Sequence, residues 1–109
     1  MLQGGNRLTL NSVESKVRFL ESLADKTRLR IVEALREREK TVSQLVQELG
    51  ASQSNISGHL RLLKISGIIK SRQQGKYVYY SLSSSVIAEF LTKLEDLLIA
   101  MKREALESA

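Results

Sequence analysis

From Val13 onward the apolar positions recur at helical intervals. Val13, Val17, Leu20, Leu23 and Ala24 are spaced by three and four, with Glu14, Lys16, Arg18 and Glu21 between them and Phe19 widening the apolar face. Ser12 stands where a cap belongs, which predicts a first helix from Val13. Asp25 caps a second helix in which Leu29, Val32 and Leu35 form the buried row. Thr41 and Gln44 have capping-box spacing and open a short third helix over Val42–Leu49, which Gly50 stops. Ser52, with Asn55 three residues on, opens a fourth helix that runs to about Ile65 and closes at Gly67.

The fourth helix has two unlike sides. Ile56, Leu60 and Leu63 make an apolar row, with His59 and Leu62 at its margins. Gln53, Ser54, Ser57, Gly58 and Arg61 make the other face, which is short, polar and free of carboxylate. A solvent-facing helix ordinarily carries Glu and Lys in pairs and strong helix formers. Ser, Asn and Gly are poor formers, so this face is read as one that meets something polar. After Gly67 the period shifts from helix to strand. Ile68–Arg72 and Tyr77–Leu82 are β-rich runs around the Gly-bearing turn Gln73–Lys76, a β-hairpin. Val78, Tyr80 and Leu82 share one of its faces, Tyr77 and Tyr79 the other. Ser84 or Ser85 caps a last helix to about Arg103, whose apolar face (Val86, Ile87, Phe90, Leu91, Leu94, Leu97, Leu98, Met101) is wider than one small core needs.

This order of elements, with the turn Gly50–Gln53 between the third and fourth helices, describes a winged helix-turn-helix. The class is mainly α with a small β-hairpin, five helices and a two-stranded wing. A helix anchored on its apolar side can lay the opposite face in the major groove, and a basic hairpin beside it can follow the backbone. Gln53, Ser54, Ser57, Gly58 and Arg61 on the helix, with Arg72, Gln74, Lys76 and Tyr77 on the wing, are the candidate DNA contacts. No repeat or linker divides the chain. It is expected to comprise a flexible arm over 1–11, one domain over 12–103 and a tail over 104–109.

Charge supports the same partner. The 109 residues carry 17 Lys+Arg against 12 Asp+Glu, a net charge of +5. Between Gly50 and Ala88 there is no acid, while Arg61, Lys64, Lys70, Arg72 and Lys76 supply five bases, so the whole excess lies in that stretch. Such segregation is an electrostatic footprint for a polyanion. Cysteine is absent, which removes disulfides, thiolate nucleophiles and thiolate metal sites. The longest apolar run, Leu97–Met101, is far short of a membrane span, and no secretory signal is readable at the N-terminus. A cytoplasmic protein with no membrane partner is expected. With one His, no Cys and no paired carboxylates in a plausible cleft, an enzyme is not expected.

Three segments resemble the ArsR/SmtB family of winged-helix repressors: Leu23-Ala24-Asp25-Lys26-Thr27-Arg28-Leu29-Arg30-Ile31, Gln53-Ser54-Asn55-Ile56-Ser57-Gly58-His59-Leu60, and Gly75-Lys76-Tyr77-Val78-Tyr79-Tyr80-Ser81-Leu82. They stand in the family's order and spacing and span roughly residues 13–100. The resemblance implies a homodimeric repressor on an inverted-repeat DNA operator, released by an inducer and joined through its first and last helices. The dimer residues would then be Val13, Val17, Leu20, Phe90, Leu94, Leu97 and Met101, and the surplus apolar face of the last helix suits that role. Lys26 stands where the family usually has Pro, and Gly58 where many members carry a larger polar or basic residue. Soft-metal sensors of the family place cysteines where this chain has Thr41 and Ser43. Sensors of zinc-like ions place Asp, His and Glu where it has Ser84, Val86, Leu97 and Ala100. No metal and no cofactor is therefore expected, and any effector would be a non-metal ligand of unknown identity. His59 is read as a hydrogen-bonded structural residue, and Arg28 and Arg30 as a solvated helix face. The alternative reading is a winged-helix protein-protein interaction module without sequence-specific DNA binding.

Overall fold

Each helix begins at the polar side chain that the sequence offers as its cap. The computed structural model describes residues 12–108; the expected arm over 1–11 lies outside the described residues. In chain order the elements are α1 (Val13–Leu23), α2 (Lys26–Leu35), α3 (Val42–Leu49), α4 (Gln53–Ile65), β1 (Ile69–Gln74), β2 (Tyr77–Leu82) and α5 (Ser85–Ser108). Ser12, Asp25, Thr41 and Ser52 accept from the backbone N–H of Ser15, Arg28, Gln44 and Asn55 at 3.0–3.2 Å, and Ser84 accepts from Val86 N–H at 3.1 Å. Gln44 closes the capping box by accepting from the Thr41 N–H at 2.8 Å. Gly50 ends α3 with φ 69°, a left-handed conformation that glycine adopts without steric cost, so the chain turns at once into α4.

The core is built from Leu23, Ile31, Val32, Leu35, Leu45, Ile56, Leu60, Leu63, Ile68, Ile69 and Leu91. Two details differ from the periodicity. On α2, Ile31 is fully buried and Leu29 only partly. That helix touches α1, α3, α4 and β2, so its buried arc is wider than one stripe. On α1, Phe19 and Leu23 turn inward, Phe19 meeting Phe90 edge-on at 5.3 Å between ring centroids, whereas Val13, Val17 and Leu20 are exposed. The last helix does not stop at Arg103. It continues to Ser108 through Glu104, Ala105, Leu106 and Glu107, good helix formers all, so 104–108 is helix rather than tail. Among the described residues no helix is long and apolar enough to cross a membrane.

The wing is an antiparallel pair in which Ile69, Ser71 and Gln73 face Leu82, Tyr80 and Val78, while Lys70, Arg72 and Gln74 face Ser81, Tyr79 and Tyr77. Its turn is two residues, Gly75-Lys76, shorter than the four-residue turn expected, with the positive φ (63°) at Gly75 that a tight hairpin requires. The face bearing Val78, Tyr80 and Leu82 meets the core through Tyr80 and Leu82.

A buried lysine joins the wing to the helices. Lys40 exchanges both backbone hydrogen bonds with Tyr80, N–H to O at 2.9 Å and back at 2.8 Å, adding a one-residue third strand beside β2. Its side chain is 3 % exposed, and its ammonium donates to Glu48 at 2.8 Å and pairs with Glu37 at 3.1 Å. Four residues earlier, Arg36 reaches Glu95 at 2.9 Å and Thr92 at 2.7 Å, tying the end of α2 to α5.

The Glu48 and Glu37 carboxylates raise the Lys40 pKa above its ordinary value, so the folded state binds that proton more tightly than the unfolded chain does. The stabilisation is fully present below the unfolded lysine pKa of about 10.4 and is lost as pH rises through the folded value. Lys40→Met is expected to lower stability by about 1–2 kcal/mol at neutral pH, because Glu48 loses its lysine and Glu37 keeps only Arg38, both staying partly hydrated. Urea unfolding of both proteins along a pH series checks this: the gap between them should shrink above about pH 10.4.

Candidate nucleic-acid interface

Helix α4 is held from one side only. Ile56, Leu60 and Leu63 are at most 1 % exposed, while Gln53, Ser54, Ser57, Gly58 and Arg61 all face solvent. Among the described residues none of those five has an ion-pair partner. At Gly58 a Cβ added to the backbone would meet no atom within 4 Å, and the residue is helical, without positive φ. Nothing inside the fold requires glycine there, although glycine costs a helix about 1 kcal/mol relative to alanine.

His59, at the margin of this helix, is half-buried. Its Nδ1 lies 3.4 Å from Arg28 Nη1 and its Nε2 3.8 Å from Asp25 Oδ2. The imidazole thus lies between the Arg28 guanidinium and the Asp25 carboxylate. The Arg28 backbone N–H holds the Asp25 carboxyl below its ordinary pKa, with the positive charge around it contributing less. Arg28 itself is not part of a solvated face. Its Nε donates to the Ser22 carbonyl at 2.8 Å and its Nη2 to the Glu21 carbonyl at 3.2 Å, closing the end of α1. Arg30 does the same for α3, donating to the Leu49 carbonyl at 3.1 Å. Arg30 remains exposed, as a solvated face requires, while Arg28 is half-buried.

On the wing, Arg72, Gln74, Lys76 and Tyr77 are exposed. Lys76 lies over the Tyr77 ring, 5.6 Å from its centroid, and among the described residues has no carboxylate partner. Arg72 is engaged differently. Its Nε donates to Glu39 Oε2 at 2.9 Å and its Nη2 to Glu39 Oε1; Nη1 donates to Gln74 at 2.7 Å, and the guanidinium covers the Tyr79 ring at 4.9 Å. Glu39 is the residue that charge counting missed. It lies outside the acid-free stretch and 33 positions away from its partner, so nothing in the linear pattern pairs them. Lys64 Nζ donates to Ser71 Oγ at 2.8 Å and couples the end of α4 to β1.

Of the expected dimer residues, Val13, Val17, Leu20, Leu97 and Met101 are exposed, whereas Phe90 and Leu94 are half-buried and Phe90 already packs on the core. Among the described residues no three His, Asp or Glu side chains gather where a metal ion would fit.

Residues 25–71, from the cap of α2 into β1, match the family described as bacterial regulatory protein, arsR family. The chain is 32 % identical over 89 residues to the transcriptional repressor SmtB homolog of Synechocystis, covering 82 % of this chain and 67 % of that one. To the HTH-type transcriptional regulator CmtR of Mycobacterium bovis it is 36 % identical over 95 residues, 86 % of this chain and 80 % of the relative. The crystal structure of Mycobacterium tuberculosis Rv0081 superposes with a TM-score of 0.80 at 31 % identity, over 85 % of this chain and 94 % of that one. The chain belongs to the arsR family. It is a winged-helix transcriptional regulator, and the family is one of regulators rather than enzymes. The protein-interaction alternative is thereby not favoured.

Gly58→Ala separates the two roles of that helix. Thermal or urea unfolding is expected to show a gain of about 0.5–1 kcal/mol, since the methyl group has room and alanine is the better helix former. A loss of stability would mean that the fold itself needs the glycine.

Proposed function

We propose that the protein is a homodimeric repressor that binds an inverted-repeat operator in double-stranded DNA. The observation that carries this is the outer face of α4: solvent-exposed, free of carboxylate, and holding a glycine with no internal purpose. Small side chains let the helix backbone approach base edges closely, and Gln53, Ser54, Ser57 and Arg61 supply donors and acceptors for the groove. Gln74, Lys76 and Tyr77 at the tip of the wing meet the phosphate backbone beside it, with Arg72 on the same strand face.

Two protomers pair through α1 and α5, covering Val13, Val17, Leu20, Leu97 and Met101 with help from Phe90 and Leu94. The two α4 helices then address successive major grooves, so half-sites lie about one turn, or about 34 Å, apart. The SmtB homolog is named a repressor, which supports that sign of control. The protein works in the cytoplasm, without a membrane partner. It does not respond to soft or zinc-like metals, because the whole sequence lacks Cys and Thr41, Ser43, Ser84, Val86, Leu97 and Ala100 stand at the family's ligand positions. An effector, where one acts, is a non-metal ligand.

Affinity measured against salt for operator and random duplex tests the reading. Gln53→Ala and Ser57→Ala should narrow the gap between the two DNAs. Lys76→Ala should weaken both alike and reduce the slope of log K against log salt by about 0.9, one phosphate's worth. The operator complex should survive titration with zinc, cadmium or arsenite. Wild-type protein that binds neither duplex at low salt, or specific release at micromolar metal, would contradict the proposal.

A further inference from the structure

The wing carries three bases, Lys70, Arg72 and Lys76, and they are not equivalent. Among the described residues Lys70 and Lys76 have no ion pair, while Arg72 is taken up by Glu39 through two parallel N–H to O bonds. Glu39 is itself fixed. The next residue, Lys40, is hydrogen-bonded to Tyr80 in both directions, so the Glu39 backbone runs along the open edge of β2. Arg72 on β1 stands opposite Tyr79 on β2, its guanidinium lying over that ring, and reaches across β2 to Glu39, the residue before the bridging Lys40. Gln74 accepts the bond from Nη1. Arg72 thus has a carboxylate at one edge, an aromatic ring beneath and an amide at the other edge. A phosphate reaching it would also meet the Glu39 charge.

We propose that Glu39 is a positioning residue that holds Arg72 as a strut of the wing and keeps it out of phosphate contact, so that the electrostatic grip of the wing on DNA is set by Lys70 and Lys76. The inference rests on the DNA-binding reading above. Arg72 holds the Glu39 carboxyl below its ordinary pKa, chiefly through the side-chain hydrogen bond. A bidentate Arg–carboxylate pair has a geometry that a single monodentate contact does not match, and here it is braced on both sides.

A four-protein comparison on a random-sequence duplex tests this: wild type, Arg72→Met, Glu39→Gln and the double variant, each checked for folding by circular dichroism. Methionine keeps an apolar stem over Tyr79, and glutamine keeps the shape of Glu39 without its charge. Arg72→Met alone is expected to leave the salt slope unchanged. Glu39→Gln should raise affinity about fivefold to tenfold near 0.1 M salt and steepen the slope by about 0.9, because the freed guanidinium now displaces a counterion. Adding Arg72→Met to Glu39→Gln should abolish that gain. If Arg72→Met alone flattens the slope by about 0.9, the pair opens on DNA and the inference is overturned. It is equally overturned if Glu39→Gln leaves the slope where it was. Wild-type protein that fails to bind the duplex at low salt would defeat the DNA-binding reading instead, so the two failures are distinguishable. Should Glu39→Gln not fold, Glu39→Ala is measured in its place, with the same slopes expected.

Discussion

The burial of Ile56, Leu60 and Leu63 on one side of α4 is the constraint on which the rest of the molecule turns. Full burial of an aliphatic side chain contributes about 1.5–3 kcal/mol, so three of them anchor the helix by several kcal/mol. Against this, a glycine and two serines on the outer face cost the helix only about 1–2 kcal/mol in propensity. The anchor wins, and the outer face is released from any duty to the fold. That release permits a surface of short polar groups with no acid among them, which a helix stabilised by its own propensity does not tolerate.

Holding the helix is not sufficient; the wing must be set beside it. Three contacts do this, each of a different kind. Lys64 bonds Ser71 across the junction of α4 and β1. Tyr80 and Leu82 pack from β2 onto the core. Lys40 completes the backbone hydrogen bonds of Tyr80 while its buried ammonium is neutralised by Glu48 of α3. Since Glu48 lies on the first helix of the helix-turn-helix, one lysine fixes the hairpin to the unit that presents α4. Arg28 extends the linkage in the other direction, from the carbonyl end of α1 to His59 on α4.

Much of this was legible in the sequence because it is local. Caps at Ser12, Asp25, Thr41 and Ser52 act within three residues, the α4 row is a simple helical period, and the alternation of Tyr77 to Leu82 assigns the two faces of the wing. What depended on contacts between distant segments was not legible. Ile31 is buried because α2 is surrounded, which no single stripe reveals. On α1 the helical period alone does not separate Phe19 and Leu23, which turn to the core, from Val13, Val17 and Leu20, which lie exposed. Arg28 and Arg30 read as a solvated helix face and Arg72 as a DNA contact; that the first two bond helix-end carbonyls and the third a carboxylate 33 positions away is visible only in the fold. The last helix outran its expected end because Glu104, Ala105, Leu106 and Glu107 are good helix formers, and nothing in them signals a stop.

The account stands most directly on which surface meets DNA. Backbone amide chemical shifts, followed by NMR as an operator duplex is titrated in, locate that surface residue by residue. The expected result is that perturbations concentrate on Gln53, Ser54, Ser57, Gly58 and Arg61 and on Gly75, Lys76 and Tyr77, while the exposed end of α5 beyond Leu98 stays unchanged. Perturbations centred on α5, or on the α2 surface around Leu29 and Arg30, with α4 and the wing tip silent, would contradict it.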